Sequence, residues 1–205
     1  MKLDAALAPA NLRDAPAQAA AAEALGFDAV WTSETQHDPF LALALAAEHT
    51  RRLGLGTAVA IAFARSPTVL AHTAWDLAGA SDGRFMLGVG TQVRPHIERR
   101  FGLAWPASPV HALREYIQAL RAVWQAWQTG ERLNYRGETY RLTLMTPFFS
   151  PAPIEHPLIP IYLAGVNRGL IQLAGECADG LHAHPLHSAR YLHEVVHPAL
   201  RDGAA

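Results

Sequence analysis

The sequence predicts an α/β fold built on a parallel sheet, and a TIM-barrel-like (β/α) arrangement is one of its two standard closures. Two observations carry the α/β prediction. Short apolar runs of strand length alternate strictly with longer stretches of helical character. Each run opens at its carboxyl end into a small or polar loop, as at residues 33–38, 62–65, 90–92 and 165–167. A third observation bears on the closure. No G-x-G-x-x-G follows the first strand, which weakens the nucleotide-binding open sheet. Six strand–helix units can be counted, two fewer than a closed eight-stranded barrel has. Periodicity alone leaves both closures standing.

The elements follow in order. Residues 3–8 read as the first strand, stopped by Pro9. Asp14 is placed as the cap of an alanine-rich helix, with Pro16 in its first turn and Gly26 just past its end. Residues 27–32 form the second strand, and Asp38-Pro39 starts a helix running to His49. Residues 53–61 form a glycine-spaced third strand, and Ser66-Pro67 caps the next helix. Ser81-Asp82-Gly83 is a turn, and residues 84–89, RFMLGV, are a short apolar strand covered on both faces. Residues 94–100 read as a polar loop. A longer helix at about 112–128 carries Leu113, Ile117, Leu120, Val123, Trp124 and Trp127 on one stripe, so both tryptophans are core or interface residues. Residues 133–142 alternate around Gly137 as a hairpin excursion after this fourth helix. A proline-rich loop leads to a fifth strand at 161–164, a helix through Cys177, a short sixth strand at 178–182 and a last helix at 188–200.

Composition limits the function classes. Half of the 205 residues are apolar, 17% are charged and the net charge is −1, which describes a folded chain with no basic block for nucleic acid. The apolar run at residues 42–47 is too short for a bilayer span, and the early Asp4 and Pro9 do not fit a signal peptide. The lone Cys177 sits among Ala174, Gly175 and Ala178 as a packing residue and fits a reducing, cytoplasmic compartment.

The loops after the strands supply the candidate site. Glu34 and His37, three residues apart past the second strand, bring a carboxylate and an imidazole that titrates near neutrality. The alternative is a helix-packing carboxylate and a solvated histidine. Arg65, next to a helix start, either binds phosphate or pairs with Asp38. Gly90, Thr91 and Gln92 offer hydrogen-bonding groups without bulk, suited to the edge of a flat heterocycle. His96 and Arg99, with Arg100, can grip an anion or form a solvated face paired with Glu98. Ala164, Gly165, Val166 and Asn167 join a strand to a helix N-terminus, a natural phosphate seat or a tight turn capped by Asn167. His182, His184 and His187 lack a cysteine or carboxylate at ligand spacing, and no metal is expected there.

The segments WTSETQHDPFLALALAAEHT, LGLGTAVAIAFARSP, SDGRFMLGVGTQ and PIYLAG…AGECADGLHAHP resemble the luciferase-like monooxygenase superfamily. They are most similar to its branch of F-420-dependent oxidoreductases, F-420 being a 5-deazaflavin coenzyme. The resemblance runs from about residue 3 to 200 and implies a single (β/α) barrel domain over 1–205. It implies hydride transfer between F-420 and a small organic substrate. FMN, with monooxygenase chemistry, is the alternative, and a shortened non-catalytic flavin-binding or interaction protein is a further one. It also implies that Glu34 and His37 face the cofactor ring and that a non-proline cis peptide or bulge at Ala58-Val59 props it. The cofactor phosphate is implied near Gly165 and Gly180. Family members continue through two more strand–helix units, so this is either a shortened relative or a chain whose edges at strands one and six a partner must cover, with a homo-oligomer as the expected form.

Overall fold

A computed structural model of the chain describes residues 2–205. Its main sheet is parallel throughout, and its strands neighbour one another in sequence order. They are β1 (Asp4–Ala6), β2 (Ala29–Thr32), β3 (Gly54–Thr57), β5 (Phe85–Gly90), β8 (Ile161–Ala164) and β9 (Gly180–His182), with the short β4 (Ala60–Ile61) pairing with β5 beyond β3. A doubly wound sheet reverses its strand order at a switch point. This one never reverses, so it is a six-stranded portion of a (β/α) barrel. Its two edges are β1 and β9.

The helices follow the same order around the outside. They are α1 (Ala15–Ala24), α2 (Pro39–His49), α3 (Pro67–Ala80), α4 (Arg94–Arg99), α5 (Pro109–Thr129), α6 (Arg168–Cys177), α7 (Ala189–Tyr191) and α8 (His197–Ala204), the last two joined by a wider π turn at Leu192–Val196. Contacts run α1 to α2, α2 to α3, α3 to α5, α5 to α6 and α6 to α8. Between helices and sheet lies the main core, with Leu43, Leu55, Leu70, Phe85, Leu87 and Leu113 fully buried, and a small second cluster of Ile171, Val196 and Ala199 lies beside it. Trp124 and Trp127 belong to the main core, as the helical stripe requires.

The caps obey local chemistry. Asp38 Oδ1 accepts from the Phe40 and Leu41 amides, Ser66 Oγ from Val69, and Asn167 Oδ1 from Leu170. Asp14 does not act as expected: it is already helical and makes no side-chain cap bond, because a 3-10 turn at Leu12–Asp14 precedes α1 and Asn11 caps that instead. Residues 94–99, read as loop, form α4. Its polar surface hides a helix that is held by one buried residue, Ile97. The hairpin of β6 (Tyr135–Arg136) and β7 (Arg141–Leu142) consequently follows the fifth helix.

Inside the curved sheet, rings lie over glycines. A Cβ at Gly56 would strike the Trp31 indole, one at Gly180 the Tyr162 ring, and one at Gly88 the Thr57 carbonyl and, at 2.8 Å, His182 Nε2. The three rings touch one another: Trp31 meets His182 at 4.7 Å and Tyr162 at 5.6 Å, and Tyr162 meets His182 at 5.3 Å. Neighbouring strands supply side chain and space alternately, which fills the interior below the strand ends.

Candidate functional site

The carboxyl ends of β1, β2, β3–β4, β5 and β8 open on one side of the sheet. The chain crossing from β3 to β4 is pinned there from β2. Ala58 N donates to Thr32 O (2.6 Å), Ser33 Oγ to Ala58 O (2.8 Å) and Glu34 N to Val59 O (3.3 Å). The Ala58–Val59 peptide between these bonds is cis. On the β5 side, Thr57 Oγ1 donates to Gly88 O (2.6 Å) and accepts from Gly88 N (2.9 Å). Neither Ser33 nor Thr57 stood out in the sequence, where each is one hydroxyl among many.

Glu34 and Arg65 are brought together from 31 residues apart. Glu34 Oε2 accepts from Arg65 Nη1 at 2.6 Å and from Ile61 N at 2.7 Å, with its side chain only 7% exposed. The second guanidinium nitrogen reaches Asp38 Oδ2 at 3.2 Å, and the guanidinium lies 5.4 Å from the centre of the Phe40 ring. Burial works against the Arg65 charge, but hydrogen bonding and attraction to Glu34 and then Asp38 outweigh it and raise its pKa. Arg65 thus pairs with Asp38, as one of its two readings has it, and Glu34 shares the guanidinium. Tyr116 on α5 is buried near this pair, its hydroxyl has no partner among the described residues, and its pKa is pushed upward chiefly by burial.

Two cavities flank the strand ends. One of about 470 Å³ lies between β1, β2 and α2, and its lining includes Leu7, Pro9, Leu12, Trp31, His37 and Leu41. The other, of about 480 Å³, opens on the concave face of the sheet among Asp4, Trp31, Ser33, Ala58, Tyr162 and His182. Asp4 Oδ2 accepts from the Trp31 indole N–H at 2.9 Å. His182 has its Nε2 buried without an aligned partner beside the Thr57 carbonyl. Burial lowers its pKa, against the opposing pull of Thr57 and Asp4. His182 therefore separates from His184 and His187, whose rings lie 5.9 Å apart beyond the strand. Among the described residues, the group close enough to share a cation is Asp82, Glu155 and His156, all exposed and at the opposite end of β5.

A Cβ at Gly90 would meet Val59 Cγ2 at 2.9 Å and Ala164 Cβ at 3.5 Å, so the missing side chain on β5 makes room for Val59 in the β3–β4 crossing, beside Ala164 on β8. Thr91 Oγ1 donates to Gln92 O, and Gln92, at φ +60°, takes the Val93 amide on its Oε1. Its side-chain NH₂ is left for another partner. Gly165 is a packing glycine, since a Cβ there would press on Leu170 Cβ at 2.7 Å. Val166 is exposed, and Asn167 caps α6 beside it. Gly180 sits two residues back from the end of β9, under Tyr162. His96 and Arg99 lie exposed on α4, where it is Arg94 that pairs with Glu98 at 2.9 Å. Arg100 donates to the Thr35 carbonyl at 2.8 Å, which ties α4 to the β2 loop.

The small residues and free hydrogen-bonding groups at these strand ends fit a flat heterocycle bearing carbonyls and ring nitrogens. The first turn of α6, whose leading amides have no intrahelical partners, fits a phosphate. A sequential parallel (β/α) sheet with its site at the strand carboxyl ends defines the class, and the comparisons agree with it. Residues 2–205 match the luciferase-like monooxygenase family, and the chain belongs to that family. It is 49% identical over 205 residues to the uncharacterized protein Rv1360 of Mycobacterium tuberculosis, covering all of this chain and 60% of that protein. It is 33% identical over 208 residues to the F420-dependent glucose-6-phosphate dehydrogenase of Nakamurella multipartita, covering 95% of this chain and 58% of that one. The chain thus spans about three-fifths of the length of these relatives. The coenzyme F420-dependent tetrahydromethanopterin reductase of Methanopyrus kandleri superposes with a TM-score of 0.81 at 22% identity, over 99% of this chain and 60% of that one, and shares the fold. Among the described residues, no helix is long and apolar enough to cross a membrane.

Proposed function

We propose that this chain carries the deazaflavin seat of an F-420-dependent oxidoreductase acting on a small organic substrate. The observation that carries the reading is the mouth formed by Ala58, Val59, Gly90 and Ala164. It is narrow in side chains, pinned by backbone hydrogen bonds, and found in a family whose relatives of this chain include F-420-dependent enzymes. The coenzyme, when bound, supplies hydride acceptance or donation at its ring. Ala58 and Val59 would lie under that ring, with Gly90 and the Gln92 amide at its edge. The α6 start at Gly165–Asn167 would take the phosphate, and His96 and Arg99 the anionic tail.

His37, lining the 470 Å³ cavity, is the group we assign to proton exchange with substrate. Glu34 is spent on Arg65 and Ile61, so its part is to hold the loop that presents His37 and to keep Arg65 in place. Association of copies over the β1 and β9 edges is the expected solution form, read by sedimentation velocity.

A fluorescence titration with F-420, and separately with FMN, tests the cofactor. Saturable F-420 binding with weak or no FMN binding supports the reading. FMN binding alone redirects it to oxygen chemistry, and binding of neither leaves a non-catalytic role for the chain.

A further inference from the structure

We propose that the cavity between β1, β2 and α2 selects an uncharged, largely apolar molecule with one hydrogen-bonding group, and excludes phosphorylated or carboxylated ones. The proposal names the substrate class of the oxidoreductase read above, but its physical basis is the cavity itself. Leu7, Pro9, Leu12, Trp31 and Leu41 form its walls, and Thr35, Gln36 and His37 its polar lining. Its volume of about 470 Å³ is that of a compartment for a small organic molecule.

The charges decide which molecule. Among the described residues no lysine or arginine lines the cavity, and its carboxylate is Asp38. The neighbouring cation, Arg65, is shared between Glu34 and Asp38, so one positive charge stands against two negative ones. An entering phosphate or carboxylate would lose water and face two carboxylates against one guanidinium, with the His37 imidazole as the one lining group able to carry a positive charge toward it. The other feature that could attract an anion is the N-terminus of α2. That position is filled by the Asp38 carboxylate, bonded to the Phe40 and Leu41 amides at 2.8 and 3.2 Å. Arg100 reaches the Thr35 carbonyl and lies over Phe101 at 4.8 Å, and it is not part of the lining. This sets the chain apart from a relative named for a sugar phosphate, glucose 6-phosphate.

A matched pair of probes isolates the charge: 2-phenylethanol and 2-phenylethyl phosphate, with glucose 6-phosphate as a third. Binding to the purified chain is followed by ligand-observed NMR and by the part of the tryptophan emission change that is lost in Trp31→Phe, since Trp31 lines the cavity. The alcohol should bind at least ten-fold more tightly than either phosphate. Leu41→Arg, at a half-exposed wall position, should weaken the alcohol at least ten-fold and narrow or reverse the preference. Leu12→Arg on the facing wall serves the same purpose if the first variant does not fold. Equal or tighter phosphate binding would overturn the proposal, as would alcohol binding untouched in a folded cavity variant. The cofactor reading fails separately: loss of F-420 binding with the alcohol preference intact sinks that reading and leaves this one standing.

Discussion

Glu34 and Arg65 form an ion pair at 2.6 Å with side-chain exposures of 7% and 18%, and the same carboxylate oxygen also holds the Ile61 amide. One group therefore links the ends of β2 and β4 to the start of α3. Removing Glu34 leaves Arg65 only the more exposed Asp38 contact and leaves the Ile61 amide without its acceptor, at a cost of about 1–3 kcal/mol. Glu34→Ala should lower unfolding stability by that amount in urea denaturation. Glu34→Gln, which can still accept from Ile61, should lose less. A loss under about 1 kcal/mol for the alanine variant would contradict the buried pair.

Glu115 on α5 holds the hairpin. Its carboxylate accepts from the amides of Glu138 (2.7 Å), Thr139 (2.7 Å) and Tyr140 (3.2 Å), with His111 at 3.1 Å. Burial raises its pKa, but the three amides and His111 outweigh that and leave it lowered. A depressed folded pKa contributes stability that is present above the unfolded value and lost as pH falls through the folded one. The stability difference between wild type and Glu115→Gln should therefore be constant near pH 7 and shrink below about pH 4.5. A difference independent of pH down to 3 would contradict this assignment.

Two helical glycines should respond with opposite sign. Gly79 in α3 has only Ile154 Cγ2 within reach of an added Cβ, at 3.6 Å, so Gly79→Ala should stabilise by about 0.4–1 kcal/mol. Gly175 in α6 lies against the Leu200 carbonyl, and Gly175→Ala must push α8 away at about 1–3 kcal/mol. Thermal denaturation of both variants measures the contrast.

Cys177 is half-buried, and burial followed by Glu176 pushes its thiol up to about 11. The native protein should react with a disulfide reagent at pH 8 far more slowly than the urea-unfolded chain. Equal rates would mean that α6 is open in solution.

Much of the fold was legible because it is written locally. The caps Asp38, Ser66 and Asn167, Gly26 at φ +85° and the stripe of α5 each depend on residues within a turn or two. The six-residue α4 was missed because a single buried Ile97 sets no period. The site was legible as loops but not as bonds. Which cation takes Glu34, why Gly56, Gly88 and Gly180 must lack side chains, and where His182 points all depend on strands that meet only after folding. Gly165 and Gly180 show the limit most clearly: their missing side chains make room for Leu170 and Tyr162, a packing requirement that the linear sequence does not display.

The mouth at Gly90 is where the coenzyme ring would sit. The most direct test is the dissociation constant of F-420 for wild type and for Gly90→Val, whose side chain would meet Val59 and reach toward Ala164. Circular dichroism and the urea midpoint should first establish that the variant is folded. Saturable binding by wild type, weakened at least ten-fold in the folded variant, is the predicted result. Binding of F-420 with equal affinity by both would move the coenzyme away from these strand ends and contradict the account.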